Sequence, residues 1–190
     1  MIKDDLPISD FAQLYVDEDD YDLYFGFTSV TTDTSYDQGY CANSSYSSYG
    51  PCLEAGENWI GDAYAPPAPP PPVIDAALTW SGERWYSQLL DVDTSKVGVE
   101  HEFGIQLAYP DDNLINLSWD NAGWNTIMSS CLLQDAFGGM MIDVDMLATN
   151  THTLDNSAFT SLKLLVTPTI EGLNSLLCEQ CEVPIPPGDS

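Results

Sequence analysis

The sequence predicts an α+β fold, a mainly antiparallel sheet with one or two helices on a face, preceded by an irregular arm; a β-sandwich is the alternative. Three observations lead there. Residues 97–109 alternate between apolar and polar positions, residues 124–132 carry apolar side chains at helical spacing, and six prolines within residues 65–72 separate a polar, tyrosine-rich half from an aliphatic one. The expected organisation is an acidic, Tyr/Ser-rich arm over 1–64, a polyproline spacer over 65–72, the α+β domain over 73–181 and a C-terminal tail over 182–190.

In chain order, Ser9 and Asp10 precede Phe11, Leu14 and Tyr15, the cap and the i, i+3, i+4 spacing of a short helix. Asp17, Glu18, Asp19, Asp20 and Asp22 follow. They lack the glycine turn and distal bidentate Glu of a calcium loop, so a solvated acidic loop is expected. Residues 28–50 are rich in Ser, Thr, Tyr, Asp, Asn and Gly and poor in aliphatic side chains. As an arm, this segment would pack Tyr36, Tyr40, Tyr46 and Tyr49 on a neighbour, with Trp59 as a further contact. The competing reading is a disordered polar linker.

The prolines have no backbone donor and a locked φ, which predicts extended polyproline II. Residues 86–92 read as a strand and 93–96 as a turn. Val97, Val99, His101, Phe103, Ile105, Leu107 and Tyr109 then alternate with Gly98, Glu100, Glu102, Gly104, Gln106 and Ala108, the pattern of a strand with one buried face. Turn chemistry at 110–113, followed by Ile115, Leu117 and Trp119, predicts a hairpin, and with 86–92 a three-stranded meander.

Asp120 or Asn121 is positioned to cap a helix whose face is Trp124, Ile127, Met128, Cys131 and Leu132, with Gly138 and Gly139 as its stop. A fourth strand is expected with Met140, Ile142, Val144 and Met146 opposite Asp143 and Asp145. Residues 162–167 make a fifth strand or a helix, and Thr167-Pro168-Thr169 opens a final short helix through Leu176 and Leu177.

Composition bounds the function. The 190 residues hold 30 Asp plus Glu against 4 Lys plus Arg, a net charge of −26. Charged residues are 18% of the chain, below the roughly 25% of an average domain, so the imbalance comes mainly from missing bases. Lys3, Arg84, Lys96 and Lys163 stand singly. Nucleic-acid backbones and anionic membranes both take clustered bases, so neither is expected as a direct partner. The apolar stretches fall short of the ~18 residues of a spanning helix, and residues 1–7 hold no signal-peptide core. With 44% hydrophobic and 11% aromatic residues, the chain is expected to fold.

Three acidic pairs recur two residues apart: Asp91 with Asp93, Glu100 with Glu102, and Asp143 with Asp145. On a strand each pair shares a face, and on neighbouring strands they would form an acidic plate. Such a plate suits a basic protein surface, a divalent cation or plain solubility. Asp91-Val92-Asp93-Thr94 has the Asp-x-Asp-Thr form of the haloacid-dehalogenase-like nucleophile. That chemistry needs a parallel α/β fold and bases to hold phosphate, which this sequence does not offer. His101 and His152 lack metal-ligand spacing, and no phosphate loop or nucleophile elbow occurs. No catalytic, cofactor-binding or metal-binding set is expected.

Of the five cysteines, Cys131 reads as a buried free thiol. Cys41 and Cys52 bracket a loop that a disulfide would constrain. The alternatives are reduced structural thiols, or a zinc site with Cys178 and Cys181. The function these observations favour is a non-enzymatic structural or assembly protein, most naturally a virion component of a phage capsid, neck or tail, whose arm packs on neighbouring subunits. One alternative is an acidic mimic of nucleic acid that inhibits a DNA-binding or defence enzyme through a basic protein surface. The other is an acidic extracellular or halophilic binding module, in keeping with 21 Asp against 9 Glu.

Overall fold

A computed structural model describes residues 9–17, 21–28, 40–45, 55–56, 59–60, 63–80, 82–91, 97–169 and 171. In chain order the strands before helix α1 are β1 (Ser9–Val16), β2 (Tyr21–Thr28), β3 (Tyr40–Cys41), β4 (Trp59–Ile60), β5 (Ala63–Tyr64), β6 (Asp75–Trp80), β7 (Glu83–Asp91), β8 (His101–Ala108) and β9 (Ile115–Ser118). After them come α1 (Trp124–Ile127), β10 (Met128–Asp135), β11 (Asp143–Asp145), β12 (Thr151–Leu154) and β13 (Ser161–Pro168). The α+β expectation is overturned. The chain is 51% strand and 4% helix, with α1 only four residues long, and the strands form one nearly closed, barrel-like sheet. That sheet also displaces the sandwich alternative, since its strands curl into one wall.

The order around the wall is β11-β10-β13-β8-β6-β7-β2-β1-β9-β12, with β5 added to β7; β3 and β4 pair separately. Eight contacts on this path are antiparallel. One, β2 with β7, is parallel. Eight reversals bring β12 back to the direction of β11. Parallel neighbours need a crossover of about a dozen residues or more, and only residues 146–150 lie between these two. They therefore do not pair, and β12 takes up where β11 leaves off. The ascending chain is laddered first to β10, through Met146 N–H to the Cys131 carbonyl at 2.9 Å, and then to β9, whose Trp119 N–H meets the Asn150 carbonyl at 3.0 Å. At the changeover the Trp119 indole donates to the carbonyls of Met146 (2.9 Å) and Thr149 (2.7 Å), and the Asn121 amide to those of Met146, Leu147 and Thr149.

The interior is filled by alternate residues of these strands. Phe25 on β2 lies 5.6 Å from Phe103 on β8 and 5.9 Å, edge-on, from Trp124 on α1. Two strands separate β2 from β8, so these rings meet across the barrel. Burying one such side chain is worth roughly 1.5–3 kcal/mol.

Several local expectations are corrected. Residues 9–16 are a strand rather than a helix: Ala12, Leu14 and Val16 are buried in alternation, and the larger Phe11 and Tyr15 had masked that period. Strand β8 begins at His101 rather than Val97, and Val99 is 49% exposed, but from Phe103 onward it and β9 bury the faces expected; the turn at 110–113 is present, with Asn113 N–H on the Pro110 carbonyl at 3.0 Å. They do not form a hairpin, however. Strand β8 lies between β13 and β6, and β9 between β1 and β12. The meander fails similarly, because β6 separates β7 from β8. The long helix from Trp124 stops after Ile127 and continues as β10, with Gly138 and Gly139 in the turn that follows. Residues 162–167 are strand β13, whereas the final helix lies outside the described residues apart from Glu171. Residues 65–70 carry no regular secondary structure; Ala65 N–H bonds the Arg84 carbonyl at 2.8 Å, and Arg84 Nη1 the Pro66 carbonyl at 2.6 Å.

Candidate functional site

Asp135 is the last residue of β10 and shares its inward-facing alternation with Cys131 and Leu133, where an apolar side chain would be ordinary. It is 0% exposed. A buried carboxylate without partners is prohibitively costly. This one accepts three backbone N–H bonds of 2.7 Å each, from Phe137, Met141 and Ile142. The Ile142 amide above all, then those of Met141, Phe137 and Gly139, hold its pKa below the usual carboxylate value against the opposing effect of burial. Gly138 and Gly139 turn the chain with φ of 82° and 77°, and a side chain at Gly139 would come within 2.9 Å of Gln134.

The loop at 136–142 is thus wrapped around a carboxylate and cannot collapse onto its own apolar residues. Phe137, Met140 and Met141 are left 73%, 81% and 74% exposed. The expected fourth strand is corrected here, because Met140 points to solvent while Ile142 and Met146 are buried.

The acidic pairs do not assemble into a plate. Asp143 and Asp145 are exposed on β11, and Glu102 is exposed on β8, with two strands between them along the wall. Glu100 precedes β8 and is exposed; Asp91 ends β7, and Asp93 lies outside the described residues. Glu102 pairs with Lys163 at 3.0 Å, Asp143 accepts from the Gln134 amide at 2.9 Å, and Asp145 caps the N–H of Leu147 at 2.9 Å. Of the acidic run, Asp17 closes on Asn116 through two 2.8 Å bonds, one from its own N–H and one to its carboxylate. Asp22 is half-buried in β2 opposite Tyr15, and Glu18, Asp19 and Asp20 lie outside the described residues. Tyr40 pairs in register with Ile60, and Cys41 with Trp59. Tyr36, Tyr46, Tyr49 and Cys52 lie outside the described residues, and the proposed Cys41–Cys52 disulfide with them.

A second polar centre lies on β6 and β7. Asp75, 2% exposed, is paired with Arg84, whose guanidinium also holds the Pro66 carbonyl. Burial pushes the Asp75 carboxyl up, and Arg84 offsets only part of that. Beside it, Thr79, Glu83, Arg84, Gln106, Thr160 and Ser161 line an open depression of about 280 Å³. It offers hydrogen-bonding groups without an apolar wall or a nucleophile held by a base.

Cys131 is buried against the Met146 sulfur at 3.7 Å. Burial, and secondarily the charge of Asp145, pushes its thiol up to about 12. His101 stands edge-on to Phe27 at 5.9 Å, and His152 is half-buried. Among the described residues no three His, Cys, Asp or Glu side chains come together to hold a metal, and no helix is long and apolar enough to cross a membrane. Sequence reasoning missed Asp135 and its loop, although an aspartate two residues before an exposed aromatic and a Gly-Gly turn is a legible sign of a side chain bonding its own turn.

Comparison of the chain with protein-family models, with known proteins and with solved structures gives no match in any of the three.

Proposed function

We propose that the chain is a non-enzymatic structural subunit of a larger protein assembly, of the kind from which a virus particle is built, and that it docks through the 136–142 loop. The observation that carries this reading is the loop's construction. Scattered exposed apolar residues are normal, but Phe137, Met140 and Met141 are gathered on one short loop whose backbone is tied to a buried carboxylate. Contiguous exposed apolar surface marks an interaction site. Phenylalanine and methionine are enriched at such interfaces, and a loop already ordered before binding loses little entropy on docking. The charge of −26 favours a partner whose apolar recess is rimmed with basic groups. The acidic-mimic reading draws less support, because strand order separates the acidic pairs.

The test is photocrosslinking in the source cells with diazirine-bearing methionine at Met140 and Met141. Crosslinks from both positions to one neighbouring protein, lost in Phe137→Ser, are the expected result. Crosslinks only within the chain, from a protein that sediments as a free monomer, would refute the proposal.

A further inference from the structure

We infer that the partner adds an extended strand to the open edge of β11, and that this strand carries lysine or arginine at alternate positions. The inference rests on the assembly reading above and specifies the chemistry of its partner.

Strand β11 ends the sheet order, so its outer edge has no neighbour among the described residues. The phase of its ladder is fixed by two bonds, Asp135 N–H to the Ile142 carbonyl at 3.1 Å and Met146 N–H to the Cys131 carbonyl at 2.9 Å. In an antiparallel pair the bonding direction alternates residue by residue. Ile142, Val144 and Met146 therefore turn their backbone groups to β10, and Asp143 and Asp145 turn theirs to the open side. The Asp145 carbonyl is taken by the Thr149 hydroxyl at 2.8 Å and the Thr149 amide at 3.1 Å. That leaves the N–H and carbonyl of Asp143 and the N–H of Asp145 available to an incoming chain.

Side chains say what that chain carries. Asp143 and Asp145 are exposed on one face of β11, with Val144 half-buried on the other. A strand added at this edge places its alternate residues beside the two carboxylates, where opposite charge is favoured and like charge is not. Residues 97–162 contain no lysine or arginine, and among the described residues the ion pairs are Arg84 with Asp75 and Lys163 with Glu102, neither of which reaches Asp143 or Asp145. The apolar loop leads straight into this edge through Met140 and Met141. An added strand would therefore meet backbone, charge and apolar surface in one contact, as in known cases of strand addition.

A second copy of the chain cannot be the donor. Its nearest bases, Arg84 and Lys96, are twelve residues apart, so none of its strands presents bases at alternate positions. Edge acids of this kind also oppose pairing between identical edges.

The experiment adds to the full chain a short peptide alternating lysine and valine and follows amide exchange by NMR. A second peptide has the same sequence, with N-methyl groups on the alternate residues that would bond β11. Selective protection of the Asp143 and Asp145 amides is expected, with binding about tenfold weaker for the methylated peptide and comparably weaker for Asp143→Lys. Equal binding of the two peptides, or protection spread over the acidic surface, would show charge attraction alone and overturn the inference, as would no binding. Methionine crosslinks to a neighbour together with no protection at β11 would remove the strand addition and leave the assembly reading standing.

Discussion

The two buried carboxylates among the described residues are shifted in opposite directions. Asp75 has a cation for a partner, yet burial dominates and its pKa rises. Asp135 has no cation beside it, yet the amides of Ile142, Met141, Phe137 and Gly139 hold its pKa down. The partners differ in kind: oriented backbone amides at hydrogen-bond distance hold Asp135, whereas Asp75 has one guanidinium that is itself largely withdrawn from water. The two sites have different structural tasks. Through Arg84, Asp75 ties the chain at Pro66 to the barrel wall, whereas Asp135 shapes a loop that presents apolar side chains outward.

Arg84→Ala should give the largest effect, because it leaves Asp75 buried without its counter-charge. A loss of about 3 kcal/mol or more is expected in denaturant unfolding. The double replacement Asp75→Leu with Arg84→Met should be milder than the single one. If the double is the worse of the two, the pair stabilises the fold on balance, and the contrast with Asp135 weakens.

Asp135→Ala should act locally first, speeding hydrogen exchange at the Phe137, Met141 and Ile142 amides well before global unfolding. Unchanged exchange there would mean that the glycines alone shape the loop. Asp135→Asn should fall between, since its carboxamide accepts some of these bonds but brings two donors of its own.

Acid unfolding sharpens the comparison further. A depressed pKa gives stability that is present above the unfolded value of 3.8 and is lost as the pH falls below it. A raised pKa acts with the opposite sign, so acidification relieves part of the cost of burying Asp75. Asp135→Asn should therefore flatten the acid limb of a plot of melting temperature against pH, and Asp75→Asn should steepen it. The smallest effect belongs to His152, whose pKa burial lowers while Asp155 opposes it. Its contribution is lost as the pH falls through 6.5 towards the folded value, and His152→Gln should remove that shallow slope.

Individual strands were legible in the sequence, but their partners were not. In β8 polar and apolar side chains alternate and one face is buried, so a period of two could be read directly, whereas in β13 the adjacent Leu164 and Leu165 left strand and helix both open although its burial alternates. In β10 a register shift between Met128 and Ser130 puts Met128 and Cys131 three residues apart on the buried side. That spacing imitates a helix, and with Trp124 and Ile127 it extended the imitation over two turns. Pairing failed for another reason. The turn at 110–113 is real, but the strands it joins lie against β13, β6, β1 and β12, and no local pattern records such distant choices. Of the candidate site, the Asp143–Asp145 pair was readable from its spacing. Asp135 was passed over, because a carboxylate facing inward carries no apolar signature and the sign it does give, an aspartate shortly before a Gly-Gly turn, is one of turn chemistry.

The single parallel contact between β2 and β7 has a consequence for the whole ring. Strand directions around a closed wall behave like up and down spins, and the number of reversals in one circuit must be even. Counted as successive parts of one ascending strand, β11 and β12 make the ring one of nine members, with eight reversals and one parallel contact. An odd ring cannot alternate throughout, just as an odd ring of opposed spins cannot, and the β2–β7 contact is where this one takes up the mismatch.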